Sequence, residues 1–172
     1  MSATDTRPTL PYEAARLIER EAMLLDEARW DEWLSLFTED CAFWIPAWRR
    51  DGTLTDNPAL EVSHIYAQGH RDLAERIGRI RSGRAAASTP LQRTTHILGT
   101  PMVALGPQVP DCARLSTPFA THVYSPRTRE TTLFFGQYEH VLRPVDSQYK
   151  IVSKKVVVRN DYVPTMIDFY CV

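Results

Sequence analysis

Apolar residues recur at helical spacing near the start of the chain. A first amphipathic helix is predicted from Tyr12 by apolar positions three or four residues apart: Ala15, Ile18, Ala22 and Leu25. A second helix is predicted by a mainly aromatic set with the same kind of spacing: Trp30, Trp33, Leu34 and Phe37. Asp31 and Glu32 fall in its first turn, where the helix dipole favours anions. The aromatic face of this second helix needs a large apolar surface to cover it.

The pattern then changes to turns, with one further helix. Cys41 to Ile45 is predicted as a short strand that ends at Pro46. Turn-forming residues between Pro46 and Ser63, including Asp51-Gly52, predict a long irregular loop. A third helix is predicted from Arg71 to Arg81 by Leu73, Ile77 and Ile80, with Gly83 as its C-cap and Gly78 weakening it.

After Pro90, apolar residues recur at every second position, and Thr, Val, Tyr and Phe are frequent. Breaks at Gly106-Pro107, at Ser125-Pro126 and at Pro144 to Ser147 divide this half into four long antiparallel strands. Helices followed by a strand meander are typical of an α+β domain. We therefore predict a curved antiparallel sheet, covered on one face by the N-terminal helices and enclosing a cone-shaped cavity.

Length and composition favour a single globular domain. A chain of 172 residues with 44% hydrophobic and 24% charged residues is long enough to bury a core without metal or disulfide support. We predict one domain over residues 10–172, preceded by a flexible N-terminus at residues 1–9. Lys plus Arg number 20 and Asp plus Glu 21, so no net field attracts nucleic acid or an anionic membrane.

Membrane insertion and disulfide bonding are not indicated. No stretch approaches the roughly 20 apolar residues that span a bilayer, and the polar N-terminus does not resemble an export signal. Cys41, Cys112 and Cys171 are widely separated, without CxxC spacing. These features predict a cytoplasmic protein.

Three histidines in the strands raise the question of a metal site. If the hairpin turns at Ser125 to Thr128, Tyr124 lies opposite Arg129, and His122 and His140 are about nine positions, or roughly 30 Å, apart. They cannot then share one ion. His96 is expected close to Thr121, which leaves a His96/His122 pair open, although the simple register places the two on opposite faces. Ordinary sheet histidines are the alternative.

The sequence gives only weak indications of an iron site, a Rieske cluster or acid–base catalysis. Glu61, His64 and His70 have the residue types of a two-histidine, one-carboxylate iron site, but they lie in the turn-rich stretch. A Rieske cluster needs paired Cys and His motifs, and no cysteine here has a histidine two or three residues later. Glu130 and Glu139 are weak candidates for acid–base work.

Arginines cluster around the third predicted helix and the first long strand. The set comprises Arg71, Arg76, Arg79, Arg81, Arg84 and Arg93, with Asp72 and Glu75 as the nearby acids. A solvated basic face and an anion-binding surface are two interpretations. The third is a subunit interface, because arginine pairs bidentately with carboxylates and is enriched where proteins meet.

Several motifs resemble the small subunits of Rieske-type aromatic-ring-hydroxylating dioxygenases. They run through nearly the whole chain: Glu21 to Asp26, Arg29 to Leu34, Phe37 to Asp40, Phe43 to Pro46, Arg76-Ile77, Arg79 to Gly83, Pro90, Arg93-Thr94, His96, Arg159 to Asp161 and Ile167 to Tyr170. Within that family, Pro46-Ala47-Trp48 followed by Asp51-Gly52 and Leu54-Thr55 looks most like subunits serving benzoate, anthranilate or halobenzoate oxygenases. Ala67 to His70 and Gly99 to Pro101 depart from the benzoate pattern.

The resemblance implies a supporting role. It implies a nuclear-transport-factor-2-like (cystatin-like) cone fold and an assembly of three small and three large (alpha) subunits. The large subunit would hold the Rieske [2Fe-2S] cluster and the mononuclear Fe(II), and a separate reductase using NADH would supply electrons. This chain would then have no catalytic, metal or cofactor residues of its own. Its interface candidates are Trp44, Trp48, Arg76, Arg79, Arg81 and Arg93.

Two other functions remain open from the sequence. A free-standing dehydratase or isomerase of the same cone fold would use a pocket residue such as His96 as its base, and an acid near His96 would favour it. A small-ligand carrier would need an open apolar pocket and no partner surface.

Overall fold

The computed structural model shows helices packed on one curved seven-stranded sheet. It describes residues 10–83, 89–105, 112–146, 148–160, 163 and 167–172, so the predicted flexible segment 1–9 lies outside the described residues. The helices are α1 Leu10–Asp26, α2 Trp30–Ser35 and α3 Gly69–Arg81. The strands are β1 Phe37–Pro46, β2 Ser63–Gln68, β3 Arg93–Leu98, β4 Met102–Leu105, β5 Ala113–Ser125, β6 Glu130–Val145 and β7 Gln148–Val158, and a 3-10 turn follows at Phe169–Cys171.

The sheet order is β2-β1-β7-β6-β5-β3, with the short β4 also paired to β5. Every pairing is antiparallel except that of β1 with β7, which is parallel. The parallel pairing begins where the Ile151 N–H donates to the Leu36 carbonyl at 2.8 Å, directly after α2. The two halves of the chain therefore meet in the middle of one sheet.

The core lies between the helices and the inner face of the sheet. Alternation along β5 and β6 turns every second side chain inward, including Leu115, Phe119 and Tyr138. Helix α1 packs on β3 and β7, and α3 packs on β1 and β2. Burial of the inner face leaves a separate outer face, turned away from the helices.

The aromatic face predicted for the second helix is covered by the C-terminus. Trp33 stacks on Phe169 at 4.8 Å between ring centroids, and Trp30 lies 5.8 Å from Tyr170. Phe37 also contacts Trp33 at 4.8 Å, but it is the first residue of β1 rather than the end of the helix. The spacing of Phe37 therefore correctly indicated its packing, whereas the helix prediction at this residue was wrong.

Three further predictions need correction. Strand β1 extends well beyond the predicted Cys41 to Ile45, and β2 was not predicted, because only Ile65 and Ala67 mark its buried side. Five strands, not four, follow Pro90, since β4 is short and pairs with β5 beside β3.

The β5–β6 hairpin register was also predicted incorrectly. Tyr124 lies opposite Thr131 rather than Arg129, and Ser125 lies opposite Glu130. The Arg129 N–H donates to the Ser125 carbonyl at 2.8 Å, and Arg129 adopts a positive φ of 62°. The turn therefore contains four residues, as predicted, but lies one position later in the chain, and His122 lies opposite Leu133.

Candidate functional site

The outer face of the sheet carries a trough of about 670 Å³, which we call the outer trough. One row across its strands consists of Tyr66, Trp44, Lys155, Glu139, Ser116 and Met102, each the cross-strand neighbour of the next. The adjacent row contributes Ala42, Ser153, Val141 and Arg114. The aromatic residues Tyr66 and Trp44 lie at one end of the first row and Met102 at the other, and the small residues Ala42 and Ser153 lie beside Trp44 and Lys155 in the second row.

The trough is apolar with a charged margin. Lys155 lies 5.3 Å from the centroid of the Trp44 ring and 3.4 Å from a Glu139 carboxylate oxygen. Trp44 is half-buried, and its Nε1–H donates to the Ser63 hydroxyl at 2.8 Å. Arg114 forms no ion pair among the residues that the structure describes. Trp44, a predicted interface residue, therefore lines the outer trough.

Trp48 does not line the outer trough. Its Nε1–H donates to the Val158 carbonyl at 2.6 Å, which ties the loop after β1 to the end of β7. Its backbone also bridges to Leu54. Trp48 is half-buried and stabilises the otherwise irregular loop.

The arginines of α3 are partly paired within the chain. Arg81 makes two hydrogen bonds to the Asp31 carboxylate, at 2.9 and 2.8 Å, and lies 6.0 Å from the centroid of Trp30. Arg76 lies 3.9 Å from Asp168. Sequence proximity did not reveal these two acids. Arg79 is exposed and makes no ion-pair contact among the described residues, although its charge acts on Asp168 from a distance and lowers the pKa of that carboxyl against the effect of burial.

Arg93 does not join the α3 arginines through a described contact. It lies at the start of β3, and its guanidinium is 5.8 Å from the centroid of the Tyr124 ring. Arg84 lies outside the described residues. The sequence-predicted interface residues are thus distributed over the trough wall, the loop after β1, α3 and the edge strand β3.

On the inner face, His96 is paired with an acid. Its Nδ1 lies 2.6 Å from an Asp26 carboxylate oxygen, and its backbone N–H donates to the other oxygen at 2.9 Å. The Thr94 hydroxyl donates to the same carboxylate at 2.8 Å. Partial burial opposes ionisation, but the hydrogen bonds from His96 and Thr94 lower the pKa of Asp26 below its ordinary value. The pair ties the C-terminal end of α1 to β3.

The location of this pair limits its chemistry. The His96 side chain has no exposed area, and its Nε2 has no hydrogen-bond partner in the described part of the chain. A cavity of about 390 Å³ between α1 and β3 reaches the pair and is also lined by Glu19, Met23 and Glu27. Asp26 is an acid near His96, which was expected to favour the dehydratase or isomerase alternative, but the imidazole is covered.

A second acid, Glu21, lies inside the core. Its carboxylate accepts hydrogen bonds from Lys154 Nζ at 2.9 Å, from His140 Nε2 at 3.1 Å and from Trp33 Nε1 at 3.1 Å. Burial opposes ionisation, but Lys154 and His140 hold the pKa of Glu21 well below its usual range. Burial lowers the pKa of Lys154 and of His140, and Glu21 offsets part of each change. This cluster joins α1, α2, β6 and β7.

The histidines do not gather around an ion. His96 points inward opposite Thr121, as predicted, whereas the exposed His122 is on the outer face. With the corrected register, His122 and His140 are seven positions apart along β6, or roughly 23 Å. Among the described residues, no group of three or more His, Cys, Asp or Glu side chains could hold a metal ion.

Glu61 and His70, two of the residues with the types of an iron site, hydrogen-bond to neighbouring parts of the chain instead. Glu61 accepts hydrogen bonds from the N–H groups of Asn57 and Asp56 and from Arg49, which lower its pKa to about 2. His70 Nε2 donates to the Leu34 carbonyl at 2.9 Å. Burial raises the pKa of Cys41 to about 11 and that of Cys171 to about 12, so both thiols stay protonated at neutral pH. These residues do not fit an iron–sulfur cluster or a mononuclear iron.

Comparison with known proteins decides the family. Residues 20–165 match the family described as ring hydroxylating beta subunit. The chain belongs to that family. The beta subunit of benzoate 1,2-dioxygenase from Acinetobacter baylyi is 33% identical over 171 residues, 99% of each chain. The small subunit of 2-halobenzoate 1,2-dioxygenase from Burkholderia cepacia is 36% identical over 153 residues, 89% of this chain and 90% of that one.

Solved structures of beta subunits and of NTF2-like proteins have the same fold as this chain. The benzoate 1,2-dioxygenase beta subunit from Burkholderia mallei superimposes with a TM-score of 0.75 and 27% identity, covering both chains completely. An NTF2-like protein with a cystatin-like fold from Novosphingobium aromaticivorans gives 0.58 with 16% identity, covering 87% of this chain and 82% of that one. The predicted α+β cone is confirmed. In the described part of the chain, every helix is too short or too polar to span a lipid bilayer.

Sequence reasoning missed Glu21, Asp26 and Lys154 as interior groups. For Glu21 and Lys154 the sequence did offer a signal, namely a charged residue at a position where the helix or strand pattern calls for an apolar one. Glu21 lies three residues after Ile18 and four before Leu25 on the buried side of α1, and Lys154 points inward from β7. The outer trough left no comparable signal, because its walls come from strands that are distant in the chain.

Proposed function

We propose that this chain is the non-catalytic small subunit of a multicomponent dioxygenase that dihydroxylates a benzoate-like aromatic acid. The observation that carries the proposal is the near-complete coverage of the benzoate and halobenzoate dioxygenase subunits at 33% and 36% identity. In this proposal a large subunit holds the Rieske cluster and the iron, and a reductase delivers electrons from NADH. Three copies of each subunit form the cytoplasmic oxygenase.

The part played by this chain is support through surface contact. Its interior is cross-linked by the Glu21 cluster and the Asp26–His96 pair, so the helices and the sheet form a firm scaffold. The proposed contact residues on that scaffold are Trp44, Trp48, Arg76, Arg79, Arg81 and Arg93. Arg79 is the strongest charged candidate, since it is exposed and makes no ion-pair contact with a described acid.

Charge reversal at Arg79 tests the interface. We expect Arg79→Glu to leave the fold intact and to weaken assembly with the large subunit, because it reverses a contact charge. Sedimentation of the co-expressed subunits measures assembly. Arg127→Glu is the matched control, since Arg127 is also exposed and lies on the β5–β6 turn, away from α3. If both variants assemble like the wild type, Arg79 belongs to a solvated face.

One observation favours a second candidate function. The 2.6 Å contact between His96 and Asp26 could orient an imidazole base in a free-standing dehydratase or isomerase. The complete burial of the His96 side chain weighs against substrate access. We expect His96→Ala to reduce stability or assembly, with turnover per assembled complex unchanged. Loss of turnover in an intact complex would favour the enzyme instead.

A further inference from the structure

The inner face of the sheet carries a group of buried polar atoms on β3, β5 and β6 that have no hydrogen-bond partner among the described residues. They are His96 Nε2, Thr117 Oγ1, Thr121 Oγ1, the Tyr138 hydroxyl and His140 Nδ1, and we call these five residues the inner polar seam. None of the five side chains is more than 1% exposed. Buried polar atoms in native proteins nearly always have a partner, so a cluster of five requires a physical explanation.

The strand register brings the members of the inner polar seam together. His96 on β3 lies directly opposite Thr121 on β5, and Thr117 on β5 lies directly opposite Tyr138 on β6. His140 is two residues beyond Tyr138 on the same face, and the centroids of their rings are 5.8 Å apart. Directly opposed residues in an antiparallel pair have Cβ atoms about 5 Å apart. The seam is therefore continuous across the three strands.

Tyr138 connects the two ends of the seam. Its ring stacks on Phe119 at 4.0 Å between centroids, and Phe119 lies two residues before Thr121 on the inner face of β5. Burial raises the pKa of Tyr138 well above its ordinary value, and the nearby Thr121 hydroxyl offsets part of that rise. The charges of Glu21 and Asp26 raise it further. The Tyr138 hydroxyl thus lies beside Thr121 and within reach of the fields of both buried acids.

The two histidines of the seam each present an acceptor. A neutral His96 donates from Nδ1 to the Asp26 carboxylate at 2.6 Å, which leaves its Nε2 lone pair available. A neutral His140 donates from Nε2 to Glu21 at 3.1 Å, which leaves its Nδ1 available. Hydroxyl groups can both donate and accept. A water molecule, which also does both, matches this mixture better than an ion, because the two carboxylates already have partners.

We propose that the inner polar seam binds ordered water, with at least one molecule bridging His96 Nε2 and the hydroxyls of Thr121 and Tyr138. A buried water typically makes about three hydrogen bonds to groups of this kind. The cavity of about 390 Å³ between α1 and β3 is lined by His96 and offers water a path to the seam. The bridge joins the Asp26–His96 pair to β6. The inference concerns only the interior of the chain and does not rest on the proposed function.

Replacing Thr121 by valine tests the bridge through the sign of its effect. A hydroxyl that has no partner is better replaced by a methyl group, whereas a hydroxyl that binds water loses a hydrogen bond and leaves its neighbours unsatisfied. We therefore expect Thr121→Val to lower the thermal midpoint by roughly 2–4 °C. Thr131→Val, at an exposed position of β6, is the matched control and should change it little. A higher midpoint for Thr121→Val overturns the inference.

Magnetic relaxation dispersion of ¹⁷O in water detects the bound molecule directly, since it counts internal waters that exchange slowly. We expect the full wild-type chain to hold at least one more such water than Tyr138→Phe, which removes only a hydroxyl. Thr121→Ser keeps its hydroxyl and should keep the water, so it provides a second comparison if Thr121→Val does not fold. Equal counts for the wild type and Tyr138→Phe, or loss of the water in Thr121→Ser, overturn the inference.

Discussion

At the scale of single residues, Glu21 shows how a charge is kept inside an apolar core. Removing water from a carboxylate is costly unless hydrogen bonds and an opposite charge replace it. Lys154, His140 and Trp33 supply three donors, and Lys154 also lies 4.1 Å from the centroid of the Tyr138 ring. The cluster therefore stabilises the fold only while it is complete.

We expect Glu21→Gln to lower the free energy of unfolding by roughly 3–5 kcal/mol, because it leaves the Lys154 charge buried without its counter-ion. Urea unfolding measures the change. Glu21→Gln combined with Lys154→Met should cost less than the sum of the two single variants. Glu139→Gln, which breaks the exposed pair with Lys155, is the control and should cost at most about 1 kcal/mol. Equal losses for the buried and exposed variants would contradict this account.

The Asp26–His96 pair predicts a dependence of stability on pH. The folded state holds the pKa of Asp26 below its unfolded value of about 3.9, so the unfolded chain takes up the proton first as the pH falls. The contribution of Asp26 to stability is therefore present near neutral pH and is lost through and below about pH 4.

Urea midpoints measured from pH 7 to pH 3 test this dependence. The Asp26→Asn variant should be less stable at pH 7 and should lose less stability on acidification than the wild type. Glu21 has the same direction of pKa change and contributes to the wild-type slope, so it must be left intact in this comparison. Parallel pH profiles for Asp26→Asn and the wild type would show that the pair is not linked to folding.

At the scale of elements, two glycines have opposite roles. A Cβ added at Gly136 in β6 would lie 1.9 Å from the Val157 carbonyl oxygen, so no side chain fits between β6 and β7. A Cβ added at Gly78 in α3 meets nothing within 4 Å. Gly136 is thus required for strand packing, whereas Gly78 only weakens its helix.

We expect Gly78→Ala to raise the free energy of unfolding by roughly 0.5–1 kcal/mol, because alanine has the higher helix propensity. Gly136→Ala should instead destabilise the chain strongly, since backbone atoms would have to move. Thermal and urea unfolding of both variants provide the measurement. A stable Gly136→Ala variant would mean that β6 and β7 are not held as closely as described.

The element boundaries show what periodicity can and cannot predict. Helix α3 was predicted to within two residues of its start because its apolar spacing is regular. Phe37 has the spacing of a helical residue, yet it packs on Trp33 from β1, because a side chain can meet the same surface from a following strand. The hairpin register failed because it depends on the conformation of Arg129, which composition does not reveal.

At the scale of the whole molecule, the cone was predictable and the candidate site was not. The order of helices and strands indicated an α+β domain, and the motif resemblance indicated the family, which comparison confirms. The outer trough depends on the parallel pairing of β1 with β7, which places Trp44 beside Lys155. Contacts of that kind follow from the complete topology of the sheet, so local spacing could not identify them.

The central claim is that this chain supports a catalyst without being one. The most direct measurement is substrate turnover by the two subunits, expressed separately and together, with reductase and NADH present and benzoate-type acids as substrates. We expect diol formation from the complex, none from this chain alone, and slow turnover from the large subunit alone. Diol formation by this chain alone, or full turnover by the large subunit without it, would contradict the claim.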